Sequence, residues 1–172
     1  MRPTASENRS RSSAKVDLRE VRFDATELLH DYVHALDDGR YEEWIDLFTD
    51  TATYRIVARD NFEQNLPLST MFCDGQGMMR DRVRAIREAL IYAPNYLRHI
   101  VSAIRIAGQD EDRYRVEANY VVFSTAHDQE TRVFNTGKYF DEIVYLNGTV
   151  KLAKKLVVYD SLIIPGLLAI PL

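Results

Sequence analysis

Residues 131–160 read TRVFNTGKYFDEIVYLNGTVKLAKKLVVYD, two runs of alternating side chains that are separated by Asn147 and Gly148. Asn-Gly is the pair that a two-residue type I′ turn needs, because both central positions of that turn take a positive φ. Apolar residues recur at every second position on either side of the pair, which is the period of a β-strand. The segment therefore predicts a hairpin whose strands are Thr131–Leu146 and Thr149–Asp160.

Two further strands are predicted upstream of this hairpin. Leu97–Ala107 and Arg113–Thr125 show the same period of two, and turn-like residues join them to each other and to the hairpin. Four strands connected in this way form an antiparallel meander. Strands of about twelve residues exceed the usual length and have to curve, through a bulge or a glycine, for which Gly137 is the candidate.

The N-terminal half of the chain shows helical periods instead. Asp24 and Glu27 resemble a capping box, with Phe23 placed as a hydrophobic staple to Leu28, and they predict a first helix that ends at Gly39. Two more helices and two strands are predicted as follows: a helix carrying Tyr41, Trp44, Ile45 and Phe48; a strand over Thr51–Ala58; a short strand near Ser69–Phe72 within a loop over Arg59–Asp74; and a helix carrying Met79, Val83, Ile86 and Leu90, closed by Pro94.

Helices followed by a meander predict an α+β fold. We expect three N-terminal helices packed on a long, curved, mostly antiparallel sheet, in the shape of an open cone. The bulky residues expected in its interior are Trp44, Phe48, Tyr54 and Met79, and they favour a filled cone. Residues 1–16 are polar and are predicted to be a flexible tail before a single domain at 17–172.

Both faces of the predicted sheet carry apolar side chains. Tyr114 and Tyr120 lie on one face of their strand, while Val121 and Phe123 lie on the other. In the next strand Val133 and Tyr139 are predicted on one side, and Phe134 and Phe140 on the other. An antiparallel sheet with one solvated face does not show this pattern. Either an overlying loop covers the second face, or another subunit does.

Composition excludes several classes of function. The chain has 172 residues and a net charge of −4, so no general attraction to nucleic acid or anionic lipid is expected. Leu162–Leu172 is apolar but too short to span a bilayer. A single cysteine, Cys73, cannot form an internal disulfide, a Cys-rich zinc site or an iron–sulfur cluster. A cytoplasmic location is the default expectation, and any redox centre is expected on another polypeptide.

Two histidines could pair as metal ligands. His30 and His34 stand four residues apart, on one face of the first predicted helix, with Asp31 between them. The string imitates a zinc-protease pattern, but Asp31 replaces the longer glutamate and no third ligand is evident. An exposed helix face is the favoured interpretation, so no metal site is predicted.

His99 is the one candidate for a catalytic residue. A strand histidine beside a cone cavity could act as a general base, but a hydrogen-bonded interior or interface histidine is the favoured interpretation. His127 falls in a hairpin loop and is expected to be solvated. Asp141 and Glu142 are adjacent and so point to opposite faces, which argues against a carboxylate pair. The arginines of the third helix alternate with Asp81 and Glu88, which favours an ion-paired surface.

Several short motifs, in this order along the chain, resemble one family. They are Tyr41-Glu-Glu-Trp44, Leu47-Phe48, Ala-Ile-Arg-Glu-Ala-Leu at 85–90, Arg98-His99-Ile100-Val101-Ser102, the segment from Thr136-Gly137 to Asp141, and Tyr159-Asp160-Ser161-Leu162. Over residues 20–172 the chain is similar to the β subunit of aromatic-ring-hydroxylating dioxygenases. The segment from Leu90 to Ile100 and the ending Leu-Ala-Ile-Pro-Leu resemble members that serve aromatic carboxylates such as terephthalate.

This resemblance implies a cone shared with nuclear transport factor 2 (an NTF2-like fold) and a role without a catalytic site, cofactor or metal in this chain. It also implies an α subunit that carries a Rieske [2Fe-2S] cluster and a mononuclear iron, an α3β3 assembly with β–β contacts, and a separate reductase. Two alternatives remain: a free-standing NTF2-like isomerase or dehydratase that uses His99 with nearby Tyr or Asp groups, and a homo-oligomeric scaffold.

Overall fold

The helices and strands follow the predicted order. The computed structural model describes residues 17–89, 95–127, 129–160 and 171–172. The elements are α1 (Leu18–Asp37), α2 (Tyr41–Asp46), β1 (Phe48–Ala58), α3 (Arg59–Glu63), β2 (Met71–Asp74), α4 (Gly75–Ala89), β3 (Asn95–Asp110), β4 (Arg113–Ala126), β5 (Arg132–Leu146) and β6 (Thr149–Tyr159). The predicted α+β class is confirmed. The predicted tail, residues 1–16, lies outside the described residues, as do Leu90 and Pro94.

All six strands form one sheet in the order β2-β1-β6-β5-β4-β3. Strands β3 to β6 pair antiparallel as the predicted meander, whereas β1 pairs with β6 in parallel and with β2 antiparallel. The β5–β6 turn has φ values of 52° at Asn147 and 80° at Gly148, which confirms the predicted turn chemistry. Helices α1, α2 and α4 pack on one face of this sheet, which we call the inner face.

The curvature of the sheet coincides with irregular pairing at several positions. The register shifts between Ser102 and Arg105 on β3 and between Val122 and Phe123 on β4. Gly137 lies in regular register and has a different role. A Cβ atom there would lie 2.0 Å from the carbonyl oxygen of Val158, so only glycine permits β5 and β6 to approach this closely.

A bulge on β5, opposite Val122 and Phe123 of β4, reverses two predicted side chains. Val122 pairs with Asn135 and Phe123 pairs with Val133, so Phe134 is an extra residue. An extra residue exchanges the faces of its neighbours because side chains alternate with a period of two. Val133 is therefore exposed, and Phe134 packs against the core. The prediction that Val133 shares a face with Tyr139 is wrong.

The predicted start of α1 is also wrong. The helix begins at Leu18, where the side chain of Asp17 accepts a hydrogen bond from the backbone N–H of Arg19. The buried stripe starts upstream of the predicted cap, at Val21, and helix packing on the sheet extends the helix to cover it. Asp24 instead accepts a hydrogen bond from the Tyr145 hydroxyl at 2.7 Å. Phe23 is largely exposed and does not form the predicted hydrophobic staple.

Helix α3 lies in a segment that was predicted as loop. Its Phe62 stacks on Phe140 of β5 with a centroid distance of 5.2 Å, on the face of the sheet opposite α1. The short strand β2 follows it, two residues later than predicted. On the inner face the expected bulky residues are all buried, which confirms the filled interior; they are Trp44, Phe48, Tyr54 and Met79.

Candidate functional site

A lysine and an aspartate pair inside the fold. Asp141 on β5 and Lys155 on β6 are cross-strand partners on the inner face. The Lys155 Nζ lies 3.0 Å from Asp141 Oδ2 and 3.5 Å from the ring centroid of Tyr139. Burial lowers the pKa of Lys155, which the carboxylate opposes. Burial likewise raises the pKa of Asp141, which the ammonium group opposes. Each charge is thus tolerated because the other is present.

Two tyrosine hydroxyls next to this pair hold the residue at position 172. Tyr32 on α1 donates to the carbonyl oxygen of Leu172 at 2.6 Å, and Tyr54 on β1 donates to the same oxygen at 3.3 Å. The backbone N–H of Leu172 donates to the Tyr54 hydroxyl at 2.9 Å. Leu172 is fully buried. Residues 161–170 lie outside the described ranges.

A third polar group in the interior joins β4 to β5. The Tyr120 hydroxyl donates to Asn135 Oδ1 at 2.6 Å, and the Tyr120 ring stacks on Tyr139 at 4.5 Å. Burial raises the pKa of Tyr120 and, with neighbouring tyrosines, that of Tyr139, so both remain phenols. Within the described ranges the Tyr139 hydroxyl has no hydrogen-bond partner. The interior therefore offers neutral donors and one balanced ion pair.

His99 lies at the start of the sheet's edge strand β3, against the end of α1. Its Nδ1 is 2.6 Å from Asp37 Oδ1, and its backbone N–H donates to both carboxylate oxygens at 3.2 and 3.1 Å. Because a carboxylate only accepts, Nδ1 carries the hydrogen. The side chains are 1% and 8% exposed, respectively. The contacts tie β3 to α1, as an interior hydrogen-bonded histidine would, while Nε2 has no partner among the described residues.

The other predicted candidates do not come together. His30 and His34 are exposed on α1, and the nearest carboxylate contact of His30 is Glu27 at 3.7 Å. His127 is exposed in the β4–β5 loop. In the part of the chain that the structure describes, no group of three or more His, Cys, Asp or Glu side chains could hold a metal ion. No helix among the same residues is long and apolar enough to cross a membrane.

The face of the sheet away from α1, which we call the outer face, carries an uncovered apolar patch. Ile100 pairs with Val121, and Phe123 pairs with Val133, so these side chains share the outer face of β3, β4 and β5. We call these four residues together with Tyr96 the outer patch. Tyr96, Ile100 and Val133 are each more than half exposed. Phe62 of α3 covers Phe140 further along the same face. An overlying segment therefore covers one part of the outer face and leaves another part uncovered.

Elsewhere the outer face also carries ion pairs. Arg105 pairs with Glu117 at 2.5 Å, and Glu142 accepts from both Arg113 and Lys154 at 3.3 and 3.2 Å. Glu142 and the buried Asp141 point to opposite faces, as predicted. On α4, Arg84 lies 3.8 Å from Asp81, and Arg87 pairs with Glu42 of α2 at 2.7 Å, which agrees with an ion-paired surface.

The Asp141–Lys155 pair was missed at the level of sequence. Its signal is nevertheless present: Asp141 lies between Tyr139 and Ile143 at alternate positions, and Lys155 precedes Val157 and Tyr159 in the same way. Opposite charges at inward positions of two strands in one hairpin predict a buried pair. The contact between Tyr32 and Leu172 carries no such signal, because no local pattern relates the two residues.

Comparison with known proteins relates this geometry to one family. The family model described as ring hydroxylating beta subunit matches residues 32–165. The chain is 36% identical over 150 residues to the anthranilate 1,2-dioxygenase small subunit of Burkholderia cepacia, covering 87% of this chain and 93% of that one. It is 32% identical over 141 residues to a terephthalate 1,2-dioxygenase terminal oxygenase component β subunit of Comamonas sp, covering 82% and 92%.

A solved structure agrees with these relatives. A β subunit attributed to an aromatic-ring-hydroxylating dioxygenase of Novosphingobium aromaticivorans superposes with a TM-score of 0.82 at 39% identity, covering 90% of this chain and 98% of that one. The resemblance inferred from the ordered motifs is confirmed. The chain belongs to the family of β subunits of aromatic-ring-hydroxylating dioxygenases.

Proposed function

We propose that this β subunit supports the assembly of an iron-bearing α subunit and performs no chemistry itself. The α subunit would carry the Rieske [2Fe-2S] cluster and the mononuclear iron, and a reductase would supply electrons to it. An α3β3 complex with β–β contacts is the proposed stoichiometry. A cytoplasmic location and a single domain over 17–172 remain predictions from the sequence.

The exposed outer patch is the observation that carries this proposal. Tyr96, Ile100 and Val133 present apolar surface beside the exposed Arg98, and ion pairs lie further along the same face. Contiguous exposed apolar surface with a polar surround is typical of a protein–protein contact. The patch lies beside β3, the edge strand of the sheet in the described part of the chain, and a sheet edge is a place where another chain can pack.

The closed interior supports a role without chemistry. Lys155 and Asp141 neutralise each other, and the interior tyrosines stay protonated at neutral pH, so the described inner face offers phenol donors but no unpaired buried carboxylate to act as a base. His99 is oriented by Asp37 but is tied into the contact between β3 and α1. The alternative of a free-standing isomerase or dehydratase is therefore not favoured.

Aromatic carboxylates are the proposed substrate class of the complete oxygenase. The relatives named above act, by their names, on anthranilate and terephthalate, and both of these molecules are aromatic carboxylates. Selection between such substrates would take place in the pocket of the α subunit.

Expression with and without an α subunit encoded beside this chain tests the proposal. We expect the chain alone to bind no iron and to leave aromatic carboxylates unchanged. Together, the two chains should elute as one large complex that contains iron and consumes oxygen when a reductase is supplied. Turnover of a small ketone or alcohol by the chain alone, or failure of the two chains to associate, would contradict the proposal.

A further inference from the structure

Leu172 lies in the interior in the manner of a bound ligand. Its carbonyl oxygen accepts hydrogen bonds from the hydroxyls of Tyr32 and Tyr54, and its backbone N–H donates to the Tyr54 hydroxyl. Each phenol has one hydrogen to donate, and the short 2.6 Å contact assigns that of Tyr32 to the oxygen in preference to the Tyr54 hydroxyl at 3.4 Å; Tyr54 then donates to the same oxygen and accepts from the nitrogen. We call Tyr32 and Tyr54, with the rings around them, the tyrosine seat.

The seat is selective for shape as well as for hydrogen bonds. The Tyr32 ring lies 6.3 Å from Trp44 and 6.2 Å from Phe48, and Trp44 lies 5.6 Å from Tyr54, all in tilted or edge-on geometry. These rings are buried, as is the whole of Leu172. The seat therefore recognises a compact branched aliphatic group next to an N–H and an acceptor oxygen, with two carbon atoms between the nitrogen and that oxygen.

The same interior has hydrogen-bonding capacity that the described residues do not use. The Tyr139 ring lies 6.1 Å from the Tyr32 ring, and its hydroxyl is fully buried without a partner in the described ranges. A buried hydroxyl without a partner is costly, so such groups in folded proteins call for an explanation. A ligand with a second polar group could satisfy it.

We propose that the tyrosine seat is a binding site for N-acylated leucine-like compounds, and that Leu172 is its resident, displaceable occupant. The shared chemistry is a branched aliphatic side chain that carries an acyl N–H and a carbonyl oxygen. A free carboxylate or an amide could supply that oxygen equally well. The site is a property of this chain and does not depend on an α subunit.

Covalent attachment of Leu172 sets the concentration at which a free compound can compete. An occupant that belongs to the same chain as its site acts at an effective concentration on the order of mM. A free compound should therefore bind the native chain only at mM concentrations or above. A chain whose resident is weakened or absent should bind it more tightly.

The test compares the native chain, Leu172→Gly and a chain shortened to residue 170. The probes are N-acetyl-L-leucinamide and N-acetyl-L-leucine, measured by titration calorimetry and by thermal unfolding. Loss of the buried leucine side chain should strengthen the apparent binding of the probe by about tenfold to a hundredfold. Leu68→Gly, at an exposed leucine in the loop before β2, is the matched control and should behave as the native chain.

Two further substitutions test whether the probes bind at the tyrosine seat or elsewhere on the chain. Tyr32→Phe and Tyr54→Phe, combined in the Leu172→Gly chain, should abolish binding of both probes because the donors are lost. The difference between the two probes reports whether the seat prefers a charged or a neutral oxygen. If the shortened chain unfolds, saturable refolding by the probe supports the site.

Three results would overturn the proposal. They are equal probe affinity in the native and Leu172→Gly chains, no saturable binding or refolding in the shortened chain well above the mM range, and unchanged binding after both tyrosine substitutions.

Discussion

The Nζ of Lys155 lies 3.0 Å from Oδ2 of Asp141 in a part of the interior where the two side chains are 0% and 1% exposed. Removing two charges from water costs several kcal/mol per ion, which only close pairing and additional contacts offset. Here the cation also lies over the rings of Tyr139 and Tyr32, at 3.5 and 4.2 Å from their centroids. The two residues therefore have to be treated as one unit.

Removing one charge of this pair should destabilise the fold. We expect Lys155→Met to lower the free energy of unfolding by about 3–5 kcal/mol, because it leaves the Asp141 carboxylate buried without a cation. The double variant Lys155→Met/Asp141→Leu should recover most of this loss. Denaturant unfolding of the two single variants and the double variant measures the coupling. A double variant as unstable as the sum of the single variants would show that the charges act independently.

The loss in Lys155→Met should depend on pH. Burial raises the pKa of Asp141 above 3.8, and removing Lys155 removes the effects that oppose this rise. A carboxyl group with a raised folded-state pKa is stabilising below its unfolded value, and that contribution is lost as the pH rises through the folded-state pKa. The difference from the native chain should therefore be largest at neutral pH and shrink as the pH falls toward the ordinary carboxyl range. A constant difference over this range would mean that Asp141 stays ionised.

Two glycines offer a matched test of the approach between β5 and β6. Gly137→Ala should lower the free energy of unfolding by about 3 kcal/mol or more, because the new Cβ would meet the Val158 carbonyl oxygen. Gly77→Ala on α4 should raise it by about 0.5–1 kcal/mol, since nothing lies within 4 Å and alanine favours a helix. Thermal unfolding compares the two. A Gly137→Ala chain of native stability would show that the strands can separate without cost.

Substitution of Asp37 should lower the stability of the chain and leave turnover by the assembled oxygenase unchanged. Asp37→Ala removes the acceptor for both the backbone N–H and Nδ1 of His99, and we expect a loss of about 2–4 kcal/mol. Arg98→Ala removes only an exposed contact, 3.9 Å from Asp37, and should change stability by less than about 1 kcal/mol. Turnover per iron in the assembled oxygenase should be unchanged in both. A fall in turnover without a loss of stability would assign His99 a catalytic role.

Charges introduced into the outer patch should prevent assembly without unfolding the chain. Ile100→Glu and Val133→Glu place a carboxylate on exposed positions, so the stability of the isolated chain should change by less than about 1 kcal/mol. Association with the α subunit, or between β subunits, should be lost because the charge would be buried unpaired at the contact. Leu68→Glu, at an equally exposed leucine outside the sheet, is the control. Size-exclusion chromatography of the co-expressed chains distinguishes the outcomes.

Local sequence patterns were sufficient to predict much of the fold. The alternation in 131–160 and the Asn147-Gly148 pair were sufficient to predict the meander, because strand period and turn conformation depend on neighbouring residues. The wrongly predicted start of α1 at Asp24 and the failure to predict helix α3 have a common cause. Whether a short polar segment becomes helical depends on what it packs against, here Tyr145 for Asp24 and Phe140 for Phe62.

Residue patterns alone were thus enough to predict the α+β class, the strand order along the chain, the filled interior and the family. The outward position of Val133, the pairing of Asp141 with Lys155, and the hydrogen bond from Tyr32 to Leu172 across 140 positions became evident only in the folded chain. The two groups differ in the sequence separation of the interactions that set them. A period of two or 3.6 residues is set by backbone geometry within a few residues, whereas a bulge, a buried ion pair and the occupant of an interior exist only once distant segments have packed together.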